Sequence, residues 1–169
     1  MADAEFARLA LPHLDAAYAL ARWLVRDRVA AEDVVQEAML RALSYFASFR
    51  GGDARAWLLR IVRNAAYDRL ARRREEPLGP GHDALPDPAA DPEAEFAAGE
   101  DRARLHAALA TLPVELRECL VLRELEEMSY RDIARITEVP VGTVMSRLFR
   151  ARQLLIGIGR KADAKETLP

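Results

Sequence analysis

Helical periodicity with no strand pattern, a proline-rich acidic gap and a closing helix-turn-helix signature predict an all-α protein. Its expected architecture is two small helical domains joined by an extended acidic linker. The domains span residues 1–74 and 102–160, the linker 75–101, and a short tail 161–169.

Residues 3–27 read as a helix bent at Pro12, with Leu14, Tyr18, Ala21 and Val25 on one apolar side and Trp23 and Leu24 widening it. Trp23 suits the core better than a ligand contact. Over residues 31–47 a second helix turns Val34, Ala38 and Ala42 inward, beside Leu43 and Phe46. Asp33, Gln36 and Glu37 share one of its polar faces at i, i+3 and i+4 spacing, and on these residues alone a solvated face accounts for them.

The loop at 47–53 carries Phe49, Arg50, Gly51 and Gly52. An aromatic and a basic side chain on such a loop suit stacking on unpaired bases and holding phosphate; an ordinary connector with Phe49 tucked into the core fits equally well. The helix over 54–74 buries Trp57, Leu58, Ile61, Val62 and Ala65. Arg60, Arg63, Asn64, Tyr67 and Arg74 share its other side, with Arg72 and Arg73 close by. That mixture fits a nucleic-acid face or a solvated basic helix.

Periodicity disappears from Glu75 to about Gly99, where five prolines and three glycines sit among many acids. This is the composition of an extended linker. Beyond it Leu105, Ala108, Leu109 and Leu112 line one helix. Pro113 starts the next, over 114–125, which packs Leu116, Leu120 and Val121 inward.

The stretch from Met128 to Leu155 reads as helix, tight turn, helix. Ser129, followed three residues on by Asp132, is a capping signature that starts the first helix at Tyr130. Ile133, Ala134 and Ile136 give that helix its apolar side. Pro140 lacks a backbone donor and forces the turn. A second helix restarts near Gly142, with Val144, Leu148, Ala151 and Leu155 as its inward stripe. Thr143, Ser146, Arg147 and Arg150 fall on another side, as on a helix that enters the major groove. A helical hairpin with solvated arginines is the alternative.

Charge is unevenly distributed. The whole chain carries a net charge of −2. Residues 1–74 hold 13 basic and 9 acidic side chains, 75–101 hold 9 acidic and none basic, and 102–169 hold 12 basic and 9 acidic. Two mildly basic blocks therefore flank a strongly acidic strip. Only two of the 25 basic residues are lysine, and arginine's planar fork suits phosphate and guanine. The single cysteine, Cys119, excludes an internal disulfide and sits among apolar neighbours. His13, His82 and His106 lack metal-ligand spacing, so no metal or cofactor is expected. No run of about 18 apolar residues suggests a membrane span, and the N-terminus lacks a secretory leader. A cytoplasmic protein is expected.

Four segments together resemble the extracytoplasmic-function (ECF) sigma factors of bacterial RNA polymerase: AEDVVQEAMLRAL (31–43), FRGGDARAWLLRIVRNAAYDRLARRR (49–74), LPVELRECLVLRELEEMSYRDIA (112–134) and VPVGTVMSRLFRARQLL (139–155). The resemblance covers roughly residues 8–156 and rests on the order and spacing of these segments. It implies that Asp33, Gln36 and Glu37 dock on the clamp helices of the polymerase β′ subunit. It assigns −10 promoter recognition to Phe49, Arg50, Arg60, Arg63, Asn64 and Tyr67. The second half would rest on the β flap and read the −35 element with Arg123, Thr143, Ser146, Arg147, Phe149 and Arg150. The acidic linker would thread toward the active centre and RNA exit channel. Met145 stands where many relatives carry a basic residue.

On this reading the chain is a promoter-specificity subunit controlled by an anti-sigma factor, with no catalytic residues. One rival is a mimic that only sequesters an anti-sigma factor, which need not keep basic faces such as Arg147, Arg150 and Arg72–Arg74. Another is an ordinary helix-turn-helix regulator, which leaves the first 74 residues unexplained. A nucleic-acid enzyme would need a carboxylate or His/Cys cluster that the sequence does not place.

Overall fold

The computed structural model describes residues 1–75 and 92–167, and the described residues are helical without a strand. The elements are α1 (Ala2–Ala10), α2 (Leu14–Val25), α3 (Arg28–Tyr45), α4 (Ala54–Glu75), α5 (Pro92–Thr111), α6 (Val114–Glu124), α7 (Tyr130–Thr137) and α8 (Val141–Glu166). Short 3-10 turns at Leu11–His13 and Phe46–Ser48 link α1 to α2 and extend α3. The first takes Pro12 into its opening positions, where a missing N–H costs no hydrogen bond.

In the first half α2, α3 and α4 pack on one another, around Leu20, Leu24, Val34, Leu58, Leu59 and Val62. Ala17, Ala21, Ala31, Ala38, Ala42, Ala65 and Ala66 are also buried. Small side chains at the contacts let helix axes approach closely. Asp27 caps α3 by accepting hydrogen bonds from the Val29 and Ala30 amides at 2.8 and 3.2 Å, satisfying donors with no partner inside the helix. Asp53 does the same for α4 through the Ala56 amide.

In the second half α6, α7 and α8 enclose Val121, Leu122, Ile133, Ile136, Val144, Leu148 and Ala151. The inward stripe expected on α8 is present, with Leu155 partly buried at its end. The Ser129 hydroxyl accepts from the Asp132 amide at 3.1 Å and α7 starts at Tyr130, as the capping signature predicts. Glu138 ends α7 in the left-handed region (φ 58°), and Pro140, extended, starts α8.

Four expectations need correction. Leu43 and Leu105 are exposed rather than inward. Leu43 falls one position past the buried Ala42 stripe, and on this side of the chain burial begins only at Leu109, in the last turn of α5, and Leu112, just beyond it. Helix extends back to Pro92, into the stretch read as linker. Pro92 suits a first helical position, and Glu-Ala-Glu-Phe-Ala-Ala holds good helix formers. Gly99 interrupts α5 with φ 65° and ψ −175°, a conformation open essentially to glycine. Lastly, α8 runs through most of the expected tail to Glu166, which pairs with Arg104 at 2.6 Å. The rest of the acidic strip, 76–91, lies outside the described residues.

The two halves are packed together. α2 lies on α6, α4 lies on α7, and the buried residues of both form one continuous cluster.

Candidate nucleic-acid interface

The helix-turn-helix presents its second helix, α8, with one side in the core and the other in solvent. Ser146, Phe149 and Arg150 are exposed together, and Phe149 is 66% exposed despite its ring. An exposed ring, a guanidinium and a hydroxyl side by side can offer a ligand both stacking and hydrogen bonds. Thr143 is half-buried at the start of α8. Arg147 turns inward instead, with Nη1 3.8 Å from Glu118 Oε1. Arg123 is also engaged internally. It donates to the Met128 carbonyl at 2.9 Å and lies over the Tyr130 ring, 4.7 Å from its centroid, so it braces the entry to α7. The structure therefore brings Ser146, Phe149 and Arg150 onto one open face, and holds Arg123 and Arg147 elsewhere.

Around the loop of the first half, both readings of Phe49 meet. Its ring is half-buried, 4.8 Å from Trp57 and 6.3 Å from Phe46, while Arg50 beside it is exposed. Gly51 and Gly52 carry the chain round with φ of 83° and 94°, values that L side chains rarely adopt.

Arg60, Arg63, Asn64 and Tyr67 lie on one side of α4, and that side is partly covered, by α7 and by Glu118 of α6, with Arg60 still exposed. Arg60 pairs with Glu138, its Nε 2.9 Å from Oε1. Arg63 makes a fork to Glu118, Nε to Oε2 at 3.0 Å and Nη2 to Oε1 at 3.3 Å. It also covers the Tyr67 ring at 3.8 Å and reaches Asn64 Oδ1 at 3.5 Å. The Tyr67 hydroxyl is buried without a hydrogen bond among the described residues. Burial first, then the nearby Glu118 carboxylate, pushes its pKa well above the ordinary phenol value.

Asp33, Gln36 and Glu37 share one face of α3, as spacing predicts, with Asp33 and Gln36 exposed. The two acids are not simply solvated. Asp33 pairs with Arg69 at 3.4 Å, and Glu37 pairs with Arg41 at 2.5 Å and Arg72 at 3.3 Å. Arg41 also holds Asp68 at 2.8 Å. These pairs stitch α3 to α4, and the Arg41 hydrogen bond holds the Glu37 carboxyl below its ordinary value.

Two residues that the sequence reading passed over dominate the boundary. Glu118 is fully buried, and burial pushes its carboxyl up while Arg63 pulls it back. Arg117, also buried, donates to the Ala110, Leu112 and Leu24 carbonyls at 3.2, 3.2 and 3.4 Å. Burial lowers its pKa to about 10. Both sit in the apolar run Leu116–Leu122 at inward positions. A charge at such a position needs a partner from elsewhere in the fold, and that was the available signal.

Sigma-70 region 2 matches residues 9–76, the part that contains α4 and the acidic face of α3, and Sigma-70 region 4 matches residues 102–155, which end in the helix-turn-helix. The RNA polymerase sigma-H factor of Pseudomonas aeruginosa is 39% identical over 143 residues, covering 78% of this chain and 74% of that protein. The ECF RNA polymerase sigma-E factor of Haemophilus influenzae is 37% identical over 149 residues, 80% of this chain and 77% of that one. This chain belongs to the ECF sigma factors of RNA polymerase. The fold of the sigma factor also matches the sigma factor RpoE of Bartonella quintana, solved in complex with the anti-sigma factor NepR. There the TM-score is 0.77 at 30% identity, over 92% of this chain and 97% of that one. As a sigma factor it is a transcription-initiation factor that works with RNA polymerase. Among the described residues no helix is long and apolar enough to cross a membrane, and no group of three His, Cys, Asp or Glu could hold a metal ion.

Proposed function

We propose that this sigma factor divides promoter recognition between its halves. Residues 102–160 read the −35 element through Ser146, Phe149 and Arg150 of α8, with Thr143, Arg147 and Arg123 completing the helix-turn-helix contacts. Residues 1–74 bind core polymerase through Asp33, Gln36 and Glu37. They capture −10 bases with Phe49 and Arg50 of the loop and with Arg60, Arg63, Asn64 and Tyr67 of α4. The acidic join, 75–101, tethers the two and lies along the basic path of the nascent RNA. The observation that carries this reading is the open Ser146–Phe149–Arg150 face on the second helix of a complete helix-turn-helix.

Strand opening needs no catalytic residue, and the protein is not an enzyme. Holding single-stranded −10 bases better than duplex shifts the equilibrium toward the open promoter, offsetting an unstacking cost of about a few kcal/mol per base. Linked on one polymerase, two weak promoter contacts gain from effective concentration. The factor acts in the cytoplasm, without metal or cofactor. The Bartonella relative is bound to an anti-sigma factor, and a partner of that class is extended to this chain.

The deciding experiment is transcription by core polymerase from promoter fragments selected by the holoenzyme out of a random-sequence pool. Initiation that depends on the added chain is expected. Efficient binding to core without selection of any promoter would overturn the reading in favour of a sigma mimic.

A further inference from the structure

The open face of α8 has an apolar edge that its polar side chains do not account for. Val141, Met145 and Phe149 follow one another at intervals of four residues, which lines them up along one side of a helix. They are 41%, 53% and 66% exposed. Packing has no use for this row, because the inward stripe of the same helix is Val144, Leu148 and Ala151, all buried. Going round the helix at about 100° per residue, Phe149 stands between Met145 and the pair Ser146 and Arg150. The apolar row and the polar face are therefore one continuous surface.

Its position and charge say what covers it. The row occupies the first turns of α8, from Val141 onward, and the early residues of the second helix are the ones that meet base edges. Over residues 141–150 the helix carries two arginines and no acid, which suits a polyanion. In the major groove, the apolar group that a base pair displays is the C5-methyl of thymine.

We propose that Met145, seated on Val141, is a specificity-determining residue of the −35 site, packing its thioether side chain on a thymine methyl group. The inference rests on the −35 reading of α8 given above and adds to it a base preference at one position. Methionine is unbranched and adapts to an irregular surface, and it brings no donor or strong acceptor that must be satisfied. Opposite the N4 amino group of cytosine it leaves a desolvated donor unpaired, so that base is disfavoured. Opposite thymine it buries a methyl group, and one such group is worth about fourfold in affinity. Arg150 and Ser146 read by hydrogen bonds, while the Met145 edge reads by shape.

The test uses holoenzyme, core polymerase with the full chain, on duplex promoters that it selects from a random-sequence pool. Each thymine of the −35 element is replaced in turn by deoxyuridine, which removes the methyl and keeps every hydrogen-bonding group. At one thymine the replacement should weaken wild type about fourfold, and Met145→Ala should bind the two forms equally there. Cytosine at that position should bind worse than 5-methylcytosine in wild type and no worse in Met145→Ala. Met145 is exposed, so the variant should keep its helical content by circular dichroism. Selected elements without a thymine would overturn the proposal, as would deoxyuridine tolerated at every position by wild type. Undiminished methyl discrimination in Met145→Ala would do the same. So would a variant that reads DNA as wild type does but binds core polymerase more weakly, which would make the row a protein-docking edge. The parent reading is scored with Arg150→Ala: unchanged −35 selection in that variant condemns the −35 assignment of α8. Altered selection there, beside an unchanged response to methyl removal in Met145→Ala, condemns the role of Met145 alone.

Discussion

Arg147 and Arg150 lie one turn apart on α8 yet occupy different surroundings. Arg147 is drawn toward the buried Glu118, while Arg150 is exposed beside Ser146 and Phe149. Arg150 is therefore the side chain ready for a base edge, and Arg150→Ala should cost about 1–3 kcal/mol at one −35 position if its fork takes a guanine. Binding across a panel of −35 variants checks this, and a uniform loss would make it a phosphate contact. His106 offers a second handle, its ring 4.6 Å from Trp23 across the boundary. Burial, with Arg102 and Arg22 nearby, lowers its pKa from the ordinary 6.5. The neutral ring suits the closed packing, so its contribution is complete above 6.5 and weakens as pH falls below that value. Trp23 emission in a Trp57→Phe background should be quenched with a midpoint below 6.5.

Among the helices, α7 was the most legible, because its start is written in a local pair, Ser129 and Asp132, and its end in Pro140. Ser129→Ala removes the one side-chain cap of that helix and should cost about 1 kcal/mol of stability in denaturant unfolding. The polar face of α3 was equally legible as a face, but its pairing with α4 was not. Arg69 and Arg72 lie 36 and 35 residues beyond their partners Asp33 and Glu37, and no helical period connects such distances. Charge reversal at Asp33 and Glu37 would set arginine against arginine and disturb the α3–α4 contact. Asp33→Asn with Glu37→Gln is the cleaner probe. It should weaken core polymerase binding on the order of tenfold, about 1.4 kcal/mol, with helical content unchanged by circular dichroism.

Taken together, the halves are joined by contacts of two kinds that respond differently to salt. The Arg60–Glu138 pair is about half exposed, whereas Arg63–Glu118 is almost wholly buried. Raising ionic strength from about 0.1 to 1 M shortens the screening length from about 10 to 3 Å and acts mainly on exposed charges. Wild type should therefore stay closed in high salt by small-angle scattering. The Glu118→Gln variant, left with the half-exposed Arg60–Glu138 pair and the partly buried Arg55–Glu126 pair, should loosen more than wild type over the same range.

The amino-acid sequence alone settled the helical class, the two halves, the Ser129 cap and the shared side of Ser146 and Arg150 on α8, whereas Phe149 joined that face only through the family resemblance. All of these depend on residues within a few turns of each other, where 3.6-residue spacing and capping chemistry act directly. It also placed Arg60, Arg63, Asn64 and Tyr67 together on α4, yet gave no sign that the face is partly covered. That was decided by tertiary packing, which brings Glu118 to Arg63 across 55 residues and Glu138 to Arg60 across 78. A buried charge signals that some partner must exist, but the partner is chosen by how whole helices pack, and that choice leaves no periodic trace in the chain.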